Sequence, residues 1–379
     1  MADEAMSEAL LIVAASEQDA NLYYATKFWA PDSFIFAQIN GRKILVMSDL
    51  EVDRAKAESR VDEVLSLSKL QTEAKKKSAS SAGTPEVLDV LFKERGVRAA
   101  EVPATFPIAL ADRLRALGYT LTVRKDPFFP ERMIKRKEEI EAIREAIRLT
   151  EGAIKSAVDV ITQADIQGEE LWLRGRPLTS ELIRKVLHLA LMGSDCLGRE
   201  TIVAGGTQAC DPHCIGSGTL RAHWPIVLDV FPVSMKTRYF ADITRTVLKG
   251  KPSEKVKTMY RLVREGQEIG FKMLKPGVDG KAVHQAILSH FEKNGFKTGE
   301  VNGRMQGFFH GTGHGLGLEI HEAPRVGGVN DILQEGQVVT VEPGLYYLDA
   351  GGIRIEDDVL ITATGCEVLS SFPRDLELS

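Results

Sequence analysis

His310-Gly311-Thr312-Gly313-His314-Gly315-Leu316-Gly317, with Leu318-Glu319-Ile320-His321-Glu322 directly behind it, is the stretch on which the fold of this chain turns. Alternate glycines remove side chains and admit unusual backbone angles close to a site. Of only eight histidines, His310, His314 and His321 fall within twelve residues here. A phosphate loop is the obvious rival. The stretch lacks the Lys-Ser/Thr of a Walker motif, however, and does not fit G-x-G-x-x-G.

Working outward, four acidic residues interrupt or end apolar, strand-like runs. Asp229 sits in Ile226-Val227-Leu228-Asp229-Val230, Asp242 in Tyr239-Phe240-Ala241-Asp242-Ile243, Glu342 ends Val338-Val339-Thr340-Val341, and Glu356 follows Ile353-Arg354-Ile355. A carboxylate with apolar neighbours is costly to bury unless something positive satisfies it. The segment from Val230 to Ala241 lets two strands fold back so that Asp229 and Asp242 approach across the pair. Gathering such anions makes sense chiefly around divalent cations, which invert the local electrostatics. Carboxylates with one imidazole suit Mn²⁺, Co²⁺, Fe²⁺ or Zn²⁺ rather than a thiolate-rich structural zinc site. Four carboxylates exceed the needs of one ion, whereas two ions roughly 3.5–4 Å apart, sharing a bridging water or hydroxide, use them fully. The imidazole is expected from the glycine-rich stretch. Cys210, His213 and Cys214 offer a separate zinc site as an alternative, with no fourth ligand evident.

The chain of 379 residues, 44% hydrophobic and 27% charged, has room for two domains. Forty-eight Lys and Arg against 53 Asp and Glu give a net charge of −5, no basic field for a phosphate backbone, and nucleic acid is excluded as a partner. Four cysteines are too few for a disulfide framework and point to a reducing compartment, the cytoplasm. The N-terminal stretch is acidic where a signal peptide is basic, and no run reaches the ~18 apolar residues of a membrane helix. A soluble chain that is not exported and has no membrane partner is therefore expected. Lys75-Lys76-Lys77-Ser78-Ala79-Ser80-Ser81 reads as a solvated loop.

Residues 1–128 alternate short apolar runs and helical patterns, as in an α/β domain. Ser33 to Gln38 and Lys43 to Ser48 flank Asn40-Gly41, a hairpin-turn pair. Asp126-Pro127-Phe128-Phe129-Pro130 resists both helix and central strand and marks the boundary. Residues 129–379 then read as α+β. Ile140, Ile143, Ile147, Ile154, Val158 and Ile161 define a long amphipathic helix, and helices are predicted at Ser180 to Met192, Ser253 to Leu274 and Lys281 to Asn294. Strands are predicted at Thr201 to Ala204, Ile226 to Phe231, Tyr239 to Leu248, Gln337 to Val341 and Gly352 to Thr362.

The segments Asp242-Ile243-Thr244-Arg245-Thr246, His310 to Gly317, His321-Glu322, Val341-Glu342-Pro343-Gly344 and Ile353-Arg354-Ile355-Glu356-Asp357 together resemble the dinuclear metallopeptidases of the pita-bread fold. That family includes prolidase, aminopeptidase P and methionine aminopeptidase. The resemblance spans the second domain and implies an α+β pita-bread catalytic domain behind a smaller α/β domain. It implies Asp229, Asp242, His314, Glu342 and Glu356 as ligands to two divalent ions, Mn²⁺ favoured over Co²⁺ or Zn²⁺, with Asp242 and Glu356 bridging. A metal-bridging hydroxide would then attack the peptide carbonyl. Glu342 would carry the proton to the leaving nitrogen and His321 would donate to the developing oxyanion. His213 and His310 would contact substrate; Arg354 and Thr244 would orient carboxylates. His188, His284 and His290 sit in helical patterns and read as structural.

The extra N-terminal domain and short length lean toward an Xaa-Pro dipeptidase, a peptidase of small peptides, and relatives are commonly homodimers. Alternatives are aminopeptidase P or methionine aminopeptidase-like specificity, a non-catalytic binding member, and a metal-free amidinohydrolase such as creatinase. One departure stands out. Twelve residues separate Asp229 from Asp242, where the family typically has ten, and Phe231-Pro232 stands where a glycine is usual two positions after the first aspartate. A longer or bulged hairpin beside the metals is expected.

Overall fold

Asn40 and Gly41 take positive φ, 49° and 80°, and turn the chain between β2 (Phe34–Ile39) and β3 (Arg42–Met47) as the Asn-Gly pair foretold. The computed structural model describes residues 7–77 and 82–378 and divides the chain into two units, Met1–Arg132 and Met133–Ser379. In the first unit, β1 (Ser7–Ala14) pairs antiparallel with β2. β4 (Glu63–Ser66), β5 (Val97–Val102) and β6 (Thr120–Val123) join in parallel, in the order β4-β3-β2-β1-β5-β6.

Alternate residues serve the two faces of this sheet. Leu11, Ile35 and Ala37 pack with α3 (Leu67–Lys77), α4 (Thr84–Arg95) and α5 (Ile108–Ala116). Ile12, Phe36 and Leu45 pack with α1 (Ala20–Thr26) and α2 (Val52–Glu58). Lys75 to Lys77, expected in a loop, instead end α3, because Leu70 and Ala74 bury one helical face just before them. Ser78 to Ser81 lie outside the described residues.

In the second unit, α6 (Lys137–Thr162) buries Ile143, Ile147, Ile154 and Ile161 on one stripe. A small meander of β7 (Asp165–Gln167), β8 (Glu170–Leu173) and β9 (Arg176–Pro177) leads to α7 (Ser180–Met192) and β10 (Cys196–Leu197). Then come β11 (Ile202–Gly205), β12 (Ile226–Val230), β13 (Val233–Ser234) and β14 (Ile243–Lys249). Helices α8 (Glu254–Met273) and α9 (Gly280–Lys293) precede β15 (Gly299–Val301) and β16 (Arg304–Gln306). The remaining strands are β17 (Gly313–Gly315), β18 (Glu322–Val326), β19 (Val338–Val341), β20 (Gly344–Tyr347), β21 (Gly351–Arg354), β22 (Asp357–Ile361), β23 (Cys366–Val368) and β24 (Glu377–Leu378). One sheet runs β11-β12-β14-β24 and is backed by α6 and α7; the other runs β18-β17-β19-β22-β23 and is backed by α8 and α9. Val256, Met259, Ile287 and Phe291 of those last helices bury against Val339, Val341 and Val359.

Two strands differ from expectation. The run from Gly352 to Thr362 is not one strand: β21 pairs with β20 and β22 with β19, and the chain changes partner at Ile355-Glu356. Opposite that change lies Glu342-Pro343, and proline has no N–H to carry a ladder onward. The run from Tyr239 to Leu248 enters its ladder only at Ile243. Tyr239 instead sends its hydroxyl to the buried Glu139 at 2.5 Å, and Phe240 N–H donates to the Gly317 carbonyl. The segment between Asp229 and Asp242 is a lengthened hairpin, with β13 paired to β10 and Val233 bridged to Phe240.

Candidate metal centre

The glycine-rich stretch supplies the floor of the site. A Cβ at Gly313 would overlap the Thr340 carbonyl, and one at Gly315 would overlap the backbone of Ala323, so β17 fits between its neighbours only as bare backbone. His314 lies between these two glycines and is buried. Its Nδ1 faces the Gly315 carbonyl at 3.1 Å; since a carbonyl only accepts, Nδ1 carries the proton and Nε2 presents a lone pair. That lone pair faces Glu342 Oε1 at 3.5 Å and Asp242 Oδ2 at 3.7 Å. Burial, with His321 adding to it, pushes the His314 pKa down to about 3, so the ring is neutral at pH 7.

The strands aim the carboxylates at this lone pair. Asp229 pairs in register with Thr244, and Ile243 with Val230, which leaves Asp242 just beyond the ladder. Asp229 Oδ2 accepts from the Arg354 guanidinium at 2.5 Å, and Glu356 Oε2 accepts from the Thr244 hydroxyl at 2.6 Å. Arg354 also donates to the Tyr346 hydroxyl at 3.0 Å, and its Nε reaches Thr244 Oγ1 at 3.4 Å. Ligand-capable atoms of Asp242, His314 and Glu356 all lie within 4.8 Å of one another. Burial, reinforced by the neighbouring carboxylates, raises the pKa of Asp242 and of Glu356 well above the ordinary range. Glu342 is pushed up to about 7, chiefly by burial, with Arg354 opposing.

These residues fit divalent ions on the chemistry of the donor set. Asp229 Oδ1, Asp242 Oδ1 and Glu356 Oε1 are buried without a hydrogen-bond partner among the described residues. Once deprotonated, they join His314 Nε2 as acceptors that divalent positive charge would satisfy.

All five sequence-predicted ligands line one pocket of about 1110 Å³, together with His213, His310, His321 and Arg354. The His321 ring stands edge-on to His314 with centroids 4.3 Å apart, while His213 is exposed. His310 has both ring nitrogens engaged, Nδ1 on the Gly311 carbonyl at 2.7 Å and Nε2 with the Tyr346 hydroxyl at 2.8 Å. Cys210 is buried and Cys214 half-buried; neither they nor His213 form a second grouping of metal-capable side chains among the described residues.

Sequence reasoning missed Tyr346, which joins His310 to Arg354, and Asp358, whose Oδ2 accepts from the Asp242 amide at 3.0 Å. It also missed Arg325, exposed at the pocket with no ion pair among the described residues. A second acid directly after Glu356-Asp357 and a cation four residues after His321 were the available signals.

A donor set of this kind, between two helix-backed sheets, is that of a protein built to hold divalent metal. Residues 141–363 match the model of metallopeptidase family M24, and the chain belongs to that family. It is 34% identical to the Xaa-Pro dipeptidase of Pyrococcus furiosus over 248 residues, 65% of this chain and 65% of that relative, just under two thirds of its length. Against the Xaa-Pro dipeptidase of Pyrococcus horikoshii the figures are 30% over 295 residues, 76% of this chain and 78% of the other. The fold is similar to the solved X-Pro aminopeptidase from Thermotoga maritima, with TM-score 0.81, 27% identity and coverage of 98% and 97% of the two chains. The pita-bread architecture follows, and members of such a metallopeptidase family use divalent metal ions. No helix among the described residues is long and apolar enough to cross a membrane.

Proposed function

We propose that this chain is a dinuclear metallopeptidase that hydrolyses Xaa-Pro dipeptides. The observation that carries the reading is the trio of buried carboxylate oxygens, unpartnered among the described residues, that share one pocket with the neutral His314. Asp229, Asp242, His314, Glu342 and Glu356 would hold two ions, Mn²⁺ favoured over Co²⁺ or Zn²⁺, with Asp242 and Glu356 shared between them. When bound, such ions acidify water and polarise a carbonyl.

The chain's own groups do the rest. Glu342, half-buried at the pocket, is placed to accept a proton and return it to the leaving nitrogen. His321 donates a hydrogen bond to the oxygen on which charge develops. Tyr346 and Arg354 hold His310 as a fixed wall, and Arg354 and Thr244 turn Asp229 and Glu356 inward. The open guanidinium of Arg325 suits the free carboxylate that a dipeptide carries one residue beyond its scissile bond, which favours a dipeptide over a longer peptide.

The same reading makes the protein a cytoplasmic homodimer; Leu182, Leu189 and Met192 leave an exposed apolar stripe on α7 that sizing by light scattering would relate to assembly. The decisive assay incubates the purified chain with Ala-Pro, Ala-Pro-Ala and Met-Ala-Ser, each with added Mn²⁺, Co²⁺ or Zn²⁺ and with chelator. Ion-dependent release of proline from Ala-Pro, with little from the longer peptides, is expected. No cleavage of any of them would sink the peptidase reading, and cleavage of Ala-Pro-Ala in preference to Ala-Pro would move it to an aminopeptidase.

A further inference from the structure

His321, unlike His310 and His314, makes no hydrogen bond through its ring among the described residues. The residue is exposed at the pocket, with the edge-on ring of His314 as its neighbour. A donor meant for a charge that develops only during reaction must nevertheless be held in place beforehand. What holds this one acts through the backbone, and the anchor is the next residue. Glu322 opens β18 opposite Gly315, and its Oε1 pairs with Lys135 Nζ at 2.6 Å, with the Lys135 side chain 2% and the Glu322 side chain 10% exposed. Lys and Glu are almost never buried this far unless paired. Lys135 is itself tied down, its amide donating to the Gly336 carbonyl at 2.8 Å just ahead of β19.

The ion pair closes the base of a bend. A Cβ at Gly317 would overlap Glu322 Oε1, so the carboxylate lies directly on the backbone where the glycine-rich stretch ends. Gly317 and Glu322 flank Leu318 to His321, and the Gly317 amide donates to the Glu319 carbonyl at 3.1 Å inside the bend. The Gly317 carbonyl accepts from the Phe240 amide at 2.9 Å, which ties the same point to the lengthened hairpin that leads to Asp242. Successive side chains of an extended chain point to opposite sides. With Glu322 turned to Lys135 and Gly317, His321 is sent the other way, and His321 lines the pocket while neither Glu322 nor Lys135 does. Removing either charge leaves the other buried and unmet, so the two act as a unit.

We propose that Lys135 and Glu322 are positioning residues for His321, their ion pair holding the bend from Gly317 to Glu322 so that the imidazole meets the oxygen on which charge develops. This rests on the role given to His321 in the peptidase reading above. The test is a double-mutant cycle on Ala-Pro hydrolysis with added Mn²⁺, crossing Lys135→Met with His321→Ala, with metal affinity followed by calorimetry. Lys135→Met should lower kcat on the order of 10–100-fold while KM and metal affinity change little. In the His321→Ala background the same substitution should cost almost nothing further, because the group it positions is gone. Equal costs in the two backgrounds, a loss carried by KM or by metal affinity, or an unchanged kcat in Lys135→Met would overturn the positioning role, as would a His321→Ala variant as active as wild type. Should Lys135→Met not fold, Lys135→Met joined to Glu322→Leu removes both charges and takes its place in the cycle; failure of that chain to fold as well would make the pair a support of the whole fold and overturn the specific role. No turnover of any Xaa-Pro dipeptide by the wild type would overturn the reading beneath it, and the positioning role with it.

Discussion

The two pairs of carboxylates reach the same pocket by different constructions. Asp229 belongs to an unbroken ladder between β12 and β14, and the hairpin that leads on to Asp242 is lengthened by an excursion that borrows β10 as partner. Glu342 and Glu356 instead sit where both strands of a second hairpin change partner at the same level. On the aspartate side the ladder orients the carboxylates; on the glutamate side the ladder is interrupted, and orientation passes to whatever ties the gap. That tie is Arg245. It is fully buried, and it donates to the Glu356 carbonyl at 2.6 Å and to Asp357 at 2.7 Å, while Asp357 also accepts from Gln267 at 2.9 Å and Arg374 at 2.7 Å. The Glu356 amide donates to the Thr244 carbonyl at 3.0 Å, so the gap in one sheet is sewn to β14 of the other. A site can therefore be broken at its ligands or at its stitching.

At the ligands, Asp242→Ala and Glu356→Ala should both abolish ion-dependent turnover while circular dichroism shows a folded chain; full activity in either would mean that one arm suffices. At the stitching, Arg245→Met leaves Asp357 buried with a charge its main partner no longer meets, an expected loss of about 3–5 kcal/mol of stability by denaturant titration. An effect within error would show that the glutamate arm holds its own shape. Between the arms, Arg354→Met and Thr244→Val free one oxygen each of Asp229 and Glu356, and titration calorimetry should find metal affinity down by roughly 10–100-fold. Equal affinity to wild type would mean that the ladders alone set the carboxylates.

A pH titration sharpens the contrast further. Glu342 in the metal-free fold is pushed up to about 7, above the ~4.3 of an unfolded glutamate, so its protonated form is the one folding favours. The stability this contributes is complete below about pH 4 and is lost as pH rises through 7. Metal-free wild type should accordingly lose melting temperature relative to Glu342→Gln across that window, and a constant difference would contradict the assignment. The smallest effect is expected from Tyr346→Phe, which removes the hydroxyl joining His310 to Arg354, at about 1 kcal/mol in transition-state stabilisation read from kcat/KM.

Much of this was visible in the chain itself, for reasons that are local. Asn40-Gly41 needs positive φ and so declares its turn, and an acid inside Ile-Val-Leu-Asp-Val declares that burial must be compensated. What stayed hidden depends on distant partners. Gly352 to Thr362 is apolar on both sides of Glu356 and reads as one strand; only the neighbours β19 and β20 reveal two. Tyr239 and Phe240 favour strands, yet Tyr239 is claimed by Glu139, a hundred positions away in sequence. Phe231-Pro232 did signal an altered hairpin, since a bulky residue at a usual glycine forces the chain to go elsewhere.

Gly313 and Gly315 carry a consequence for how such a pocket can change over generations. Because β17 has no room for any side chain at these positions, the floor under the carboxylates offers no letters to rewrite; every alternative there collides with neighbouring backbone. Novelty is thus confined to the rim, where Phe231 and Val329 can be exchanged without disturbing the strand beneath. A library randomised at those rim positions should yield folded chains of altered taste, whereas one randomised at the two glycines should yield almost none.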